Sequence, residues 1–215
     1  ETVLSVACTK SDQLSLLCGS PNAAKGLAYA GFNMVSLANN HAMDYGKTAL
    51  LETINVLSRY GIRFVGAGAR ENVESASEPV TVEVKDMKIA FLAYSLLPKT
   101  MHRMQDTGET STILKGVQKA KKRTDITVVS LHWGYEFVNV PSPKQMQFAY
   151  ENIESGADIV LGHHPHVLQG IERYKKGIVA YSLGNFVFDM SPKVTRESVI
   201  LECHLSKEGV VDYDV

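Results

Sequence analysis

The chain has 215 residues, of which 45% are hydrophobic and 21% charged, and a formal net charge of -1. That length holds one domain with a full core, and the composition is that of an ordinary globular chain. The near-zero charge, with no long basic run and no interleaved aromatics, excludes a nucleic-acid surface, and no apolar stretch reaches the length of a membrane span.

Residues 1–19 have weak periodicity and are left largely unassigned. Ser20-Pro21 is a helix start, with Gly31 as its stop. A strand is expected over 32–38, giving way to Asn39-Asn40-His41. Leu50, Leu51, Ile54, Leu57 and Tyr60 have helical spacing, so 47–60 is a helix closed by Gly61. A strand over 62–65 comes next, then a hairpin of 80–84 and 89–94. Residues 95–108 read as a long loop, 112–123 as a helix and 126–131 as a strand ending in His132-Trp133-Gly134. The basic stretch Lys119 to Arg123 falls at that helix's end, where cations suit the dipole. Pro143 opens a helix that stops at Gly156. A strand over 159–161 runs into Gly162-His163-His164-Pro165-His166, 167–174 and 178–183 pair, and 199–205 with 210–215 are expected to finish the sheet. There is no repeat, low-complexity tract or linker, so residues 1–215 are read as a single domain.

Three imidazoles at 163, 164 and 166 have no use in an apolar core, and neutral imidazole is the commonest metal ligand. Pro165 biases His164 towards an extended backbone. The strands over 32–38, 126–131 and 159–161 each follow a helix, are nearly all apolar and end in histidine. Ligand sites in α/β proteins collect beyond the carboxyl ends of parallel strands. Five of the seven histidines are therefore expected on one edge of one sheet; His102 and His204 are read as structural. Cys8, Cys18 and Cys203 have no metal spacing, and Cys8 can pair with Cys18 if the chain is exported.

Four motifs carry a family resemblance: Leu37-Ala-Asn-Asn-His-Ala-Met-Asp-Tyr-Gly46, Ser130-Leu-His-Trp-Gly-Tyr-Glu136, Gly162-His-His-Pro-His-Val167 and Tyr181-Ser-Leu-Gly-Asn-Phe-Val-Phe-Asp189. The chain resembles the bacterial CapA capsule-synthesis proteins, associated with poly-γ-glutamate capsules and belonging to the calcineurin-like metallophosphoesterase superfamily. The resemblance implies an α-β-β-α sandwich, two mixed sheets flanked by helices. It implies Asn40, His132, His164 and His166 as metal ligands, with one imidazole of the His164/His166 pair to each of two metals. His41 becomes the acid or charge stabiliser beside a scissile phosphate. Imidazole and amide oxygen suit manganese, zinc or iron, and two such ions can clamp an in-line displacement.

Around these, Asn39 or Asn40 can instead satisfy a turn. Asp44 either orients His41 or caps the next helix. Trp133 is core or a face for a ligand to stack on. Glu136 is a rim residue without an assigned role, His163 is expected behind the ligands and not among them, and Asn185 lies in a glycine turn that comes after a strand. Asp189 is a further carboxylate on a loop.

The family pattern begins with a strand ending in Gly-Asp, a helix, and a strand ending in Asn-Leu-Glu, and this sequence contains no Gly-Asp pair. Glu1-Thr2 resembles the residues just after Asn-Leu. The first βαβ unit is thus expected to be missing, and with it the metal-bridging aspartate. On that expectation the chain holds at most one weakly bound metal and is a poor phosphatase. Two functions stay open: a metal-dependent hydrolase of a phosphoester or capsule-polymer linkage, and a non-catalytic binding or assembly subunit of a membrane-bound synthase and exporter. The resemblance implies capsule synthase and export subunits as partners, an anionic polymer or phosphoester as substrate, and an extracytoplasmic protein tethered by a segment upstream of Glu1.

Overall fold

Alternation along one strand organises the molecule. In β6 (Met87–Ser95), Ala90, Leu92 and Tyr94 join one buried cluster, while Ile89, Phe91 and Ala93 join clusters on the opposite face. The strand is therefore covered on both sides, as its nearly unbroken apolar run requires. The computed structural model describes residues 1–6, 16–67, 78–97, 110–188 and 190–215.

In chain order the elements before β6 are β1 (Val3–Leu4), β2 (Cys18–Gly19), α1 (Ala23–Tyr29), β3 (Met34–Ser36), α2 (Gly46–Arg59), β4 (Arg63–Val65) and β5 (Val80–Val84). After it come α3 (Thr110–Lys121), β7 (Ile126–His132), α4 (Pro143–Glu154), β8 (Ile159–His163), β9 (Ile171–Tyr174), β10 (Gly177–Ala180), β11 (Glu202–Ser206) and β12 (Gly209–Asp214). Six strands form one mixed sheet in the order β5-β6-β7-β8-β10-β9. The four inner strands are parallel, and β5 and β9 are antiparallel at its edges.

Helix α3 buries Ile113, Val117 and Ala120, and α4 buries Phe148, Ala149 and Ile153. Both stripes lie on the Leu92 and Tyr94 face. The start of α4 is fixed by a capping box: Ser142 accepts from Gln145 N–H, Gln145 returns a side-chain bond, and Pro143 stands in the first turn. On the opposite face lie β3 and β4, through Ala38 and Val65 against Ala93, and the β11–β12 hairpin, through Val210, Leu205 and Tyr213. Helix α2 closes the far side with Leu50, Ile54 and Leu57 over Leu4, Leu37 and Ile62. The layers thus run helix, strands, sheet, helices: a metallophosphoesterase-like α/β sandwich.

The second strand layer is built of smaller pieces: parallel pairs β1–β2 and β3–β4 and the β11–β12 hairpin. Two expectations change, and one unassigned region is filled in. Residues 202–214 pair with each other instead of extending the large sheet, because their apolar side chains pack onto its face. The region 1–19 contributes two short strands. Most consequentially, β3 pairs with β4 and not with β7 or β8, so the histidines do not share one sheet edge. The predicted loop over 95–108 falls largely outside the described residues, as do His102, Cys8 and Asp189. Cys18 is disulfide-bonded and Cys203 is a free thiol. His204 pairs with Asp214 across the exposed hairpin, in keeping with a structural role. Among the described residues no helix is long and apolar enough to cross a membrane.

Candidate metal centre

The carboxyl ends of β7 and β8 meet in register, with His132 opposite His163. Trp133 N–H donates to the His163 carbonyl at 3.0 Å, which ties the two strand ends together. Gly162, one residue earlier, is where another side chain would not go. A Cβ there would lie 1.9 Å from the Tyr181 carbonyl oxygen and 2.5 Å from Trp133 Nε1, which hydrogen-bonds that oxygen at 3.0 Å. Beyond it the chain turns sharply. His164 and His166 have φ of 97° and 58°, left-handed conformations that cost energy for non-glycine residues. The extended backbone expected for His164 from Pro165 is therefore overturned: the turn that brings the two rings together outweighs the local preference.

The second wall comes from the other layer. After β3, Asn39 Oδ1 accepts from His41 N–H at 2.9 Å, forming a tight asparagine turn. That turn directs Asn40 across the gap, where its Oδ1 is 2.8 Å from His132 Nε2. His41 Nδ1 lies 2.8 Å from Asp44 Oδ2, which also accepts from Leu17 N–H at 2.7 Å. Asp44 orients His41 and does not cap α2, whose first turn starts at Tyr45 with no side-chain cap.

The residue that sequence reasoning left out is Glu1. Its Oε1 lies 3.0 Å from His132 Nε2, and its Oε2 lies 3.1 Å from His166 Nε2. Strand β1 positions it, held against α2 by Leu4 N–H donating to Thr53 Oγ1 at 2.8 Å. Although the metal-bridging aspartate is expected to be missing, a carboxylate does stand between the two walls. Its likeness to the end of the Asn-Leu-Glu pattern was the available signal.

Electrostatics are set by this geometry. Burial pushes the Glu1 carboxyl up, but the imidazoles of His132 and His166 at its two oxygens outweigh that and hold it well below the usual carboxylate range. Burial pushes His132 down, against the pull of Glu1. His163 and His164 are pushed down to about 4, chiefly by burial and then by the neighbouring His132. For His166 burial acts downwards, but Glu1 and Asn185 outweigh it and the value rises.

The donor set fits a divalent cation. His132 Nε2, Asn40 Oδ1 and Glu1 Oε1 crowd together, although one ring N–H can satisfy only one oxygen well. His164 Nδ1 is buried with no hydrogen-bond partner among the described residues, and Glu1 Oε2 has no well-aligned one. His166 Nδ1 lies 2.8 Å from Asn185 Oδ1, which fixes the tautomer and leaves Nε2 as a ligand atom. Two overlapping groups result, Glu1/His132/His164 and Glu136/His164/His166, with donor atoms within 4.8 Å of one another in each.

The remaining candidates separate clearly. Trp133 is 2% exposed and stacks on Tyr181 in the core, so it offers no face to a ligand. His163 belongs to neither donor group. Asn185 touches His166, and Glu136 is exposed at the rim. A cavity of about 490 Å³ runs along α2 by Leu51, Asn55 and Arg59, and none of these histidines lines it.

A mixed sheet with helices on one face and a second strand layer on the other, with imidazole donors at its strand ends meeting amide and carboxylate donors from that second layer, is a metallophosphoesterase-like fold. The fold is shared with a novel phosphatase from Mycoplasma pneumoniae (TM-score 0.54, 16% identity, 74% of this chain and 53% of that one). It is also shared with a hypothetical protein from Thermus thermophilus (TM-score 0.52, 18% identity, 76% and 57%). The sequence profile of the bacterial capsule synthesis protein PGA_cap matches residues 1–190, and the chain belongs to that family. It is 37% identical to the capsule biosynthesis protein CapA of Bacillus anthracis over 96% of this chain and 52% of that protein. It is 36% identical to the PGA biosynthesis protein CapA of Bacillus subtilis strain 168 over 89% and 52%. The chain therefore spans about half the length of the curated relatives it matches.

Proposed function

We propose that this chain carries the metal-holding site of a capsule-synthesis hydrolase acting on a phosphoester or on a linkage of the capsule polymer. The observation that carries this reading is the Glu1 carboxylate between His132 and His166, with Asn40 against the same His132 nitrogen. His132, Asn40, Glu1, His164 and His166 would hold a divalent ion such as manganese, zinc or iron, whose Lewis acidity would polarise a phosphoryl or carbonyl oxygen. Asn185 fixes the His166 ring. With Nδ1–H donated to the Asp44 carboxylate, His41 presents Nε2 to the site, and as the imidazolium it would give the Nε2 proton to a leaving oxygen and return to neutral imidazole.

In the whole protein we infer a location outside the cytoplasm, beside membrane-bound synthase and export subunits. Family membership and relatives named for capsule and PGA biosynthesis support that setting. Metal analysis of the dialysed chain, with turnover of a generic phosphodiester in added manganese, tests the catalytic reading. Retained metal with turnover that falls in His41→Ala is the expected result. Metal binding without turnover, in this chain and in the full-length protein, would favour an assembly subunit that keeps the fold without catalysis. Recovery of the native protein wholly in the cytosol would overturn the location.

A further inference from the structure

We propose that the apolar rim of the histidine mouth selects the substrate: a phosphoester of an apolar alcohol, whose hydrocarbon lies on Phe137 and Phe188 while its phosphate enters the site. This rests on the hydrolase reading above and narrows it.

The rim is built against the site itself. The rings of Phe188 and Phe137 lie 5.4 Å and 6.4 Å from the His166 ring, centroid to centroid. Asn185, which holds His166 Nδ1, is followed directly by Phe186, Val187 and Phe188. Phe186 is 59% exposed and meets Phe32 edge to face at 5.6 Å, so the rim reaches the second strand layer. On the loop after β7, Tyr135, Phe137 and Val138 are all exposed. Scattered exposed apolar side chains are ordinary, but a run of them on two loops that meet at one histidine marks a binding surface.

Phe137 is placed there at a cost. Its φ of 63° is a left-handed conformation that a bulky side chain rarely adopts. Tertiary bonds impose it: Phe137 N–H donates to the Pro165 carbonyl at 2.8 Å, and Gln169 Nε2 donates to the Val138 carbonyl at 2.7 Å. The ring gains little burial in return, being 51% exposed. A strained backbone that leaves an aromatic ring half in water at the edge of a site points to a ligand that covers the ring.

Charge discriminates between the two linkages left open. Residues 37–46, 132–142, 162–170 and 181–192, four of the segments that build the site, contain no lysine or arginine. Lys193 and Arg196 follow on a short 3₁₀ turn, where Arg196 Nε donates to the Met190 carbonyl at 3.1 Å. Glu136 adds exposed negative charge. A polymer with a carboxylate on every unit would set its anions against these loops with no cation on them to meet it. A phosphoester of an apolar alcohol has its charge only at the linkage, where the metal would stand, and leaves hydrocarbon for the rim. Each methylene taken out of water there tightens binding about fourfold.

The test is calorimetric binding of methyl-, butyl- and octylphosphonate, which are not hydrolysed, to the Mn²⁺-loaded chain. Affinity should rise from methyl to octyl by at least about a hundredfold. In Phe137→Asn, asparagine tolerates the left-handed backbone and removes the ring, so the octyl-to-methyl affinity ratio should fall at least about tenfold. Phe186→Ser, an exposed change, should lower that ratio less. Vesicles distinguish the source of the ester. Recruitment to phosphatidylcholine vesicles containing phosphatidate, over equally charged ones containing phosphatidylserine, would assign an ester presented by a membrane; octylphosphonate binding without recruitment would assign a free one. Equal affinity for the phosphonates, an octyl advantage untouched by both substitutions, or a γ-glutamyl oligomer bound more tightly than octylphosphonate would overturn this inference and leave the metal site standing. Mn²⁺ binding with no phosphonate bound at all would overturn the hydrolase reading as well.

Discussion

Gly162→Ala is the substitution whose cost can be read most directly from the structure. The new methyl carbon would sit 1.9 Å from the Tyr181 carbonyl oxygen and 2.5 Å from Trp133 Nε1. Both are fixed: the first is backbone, and the second belongs to a fully buried ring stacked on Tyr181. Relief requires β8 and β10 to part just beyond their Leu161–Ala180 pair and the indole bond to break. Losing that bond costs about 1 kcal/mol, and forcing a methyl into a filled core adds roughly 1–3 kcal/mol. The sum, about 2–4 kcal/mol, corresponds to a melting temperature lower by about 5–15 °C for a chain of this size. Urea and thermal unfolding of the two proteins would measure it. Trp133→Phe is the control, because it removes the indole donor without adding a clash and should cost less. A Gly162→Ala protein within about 0.5 kcal/mol of the parent would refute the reasoning. Gly162 adjoins the histidine loop, so Mn²⁺ affinity should fall with stability.

Asn185→Ala frees the His166 ring and should weaken Mn²⁺ binding about 10–100-fold with the fold retained; unchanged affinity in calorimetry would remove its positioning role. Asp44→Asn leaves the metal donors intact but takes the anion from behind His41, so phosphodiester turnover should drop by about 10²–10⁴ with Mn²⁺ affinity unchanged. Equal losses in binding and turnover would mean that Asp44 holds the loop rather than the proton. The metal-free chain should lose stability as pH falls from about 7 to 4. His163 and His164 titrate near 4 when folded against 6.5 ordinarily, so the unfolded chain binds more protons across that window. The lowered His132 adds to this, and the depressed Glu1 carries the decline below its ordinary 4.5, while the raised His166 opposes it because its contribution is lost as pH rises. A urea midpoint at pH 5 equal to or above that at pH 7 would contradict the sign.

Much of the scaffold was legible because its signals are local. Leu50, Ile54 and Leu57 mark one face of α2, and Pro143 marks the start of α4. The histidines at the ends of β7 and β8 follow from strands that must be buried on both faces and end at a ligand edge. The features that escaped depend on the partner rather than on the segment. The mostly apolar run over 32–38 marks a strand, but not that β4 pairs with it while β6 lies across its face. Glu1 is a lone carboxylate with no periodic context, and only its distances to His132 and His166 show where it lies. At His164 a sound local rule lost to a tertiary demand, since the loop reverses within two residues.

The Asn40 contact with His132 joins residues 92 apart in sequence and belonging to different strand layers. An ion seated there would act as a rivet through the sandwich. It would bind only when both layers are in place, so at a hundredfold excess over its dissociation constant it would add about 2.7 kcal/mol to their joint stability. Chelation would then be a mechanical event as well as a chemical one. Stripping the ion should let the α2 layer breathe independently of the six-stranded sheet, with amide exchange rising first along β1 and β3 and last in β7.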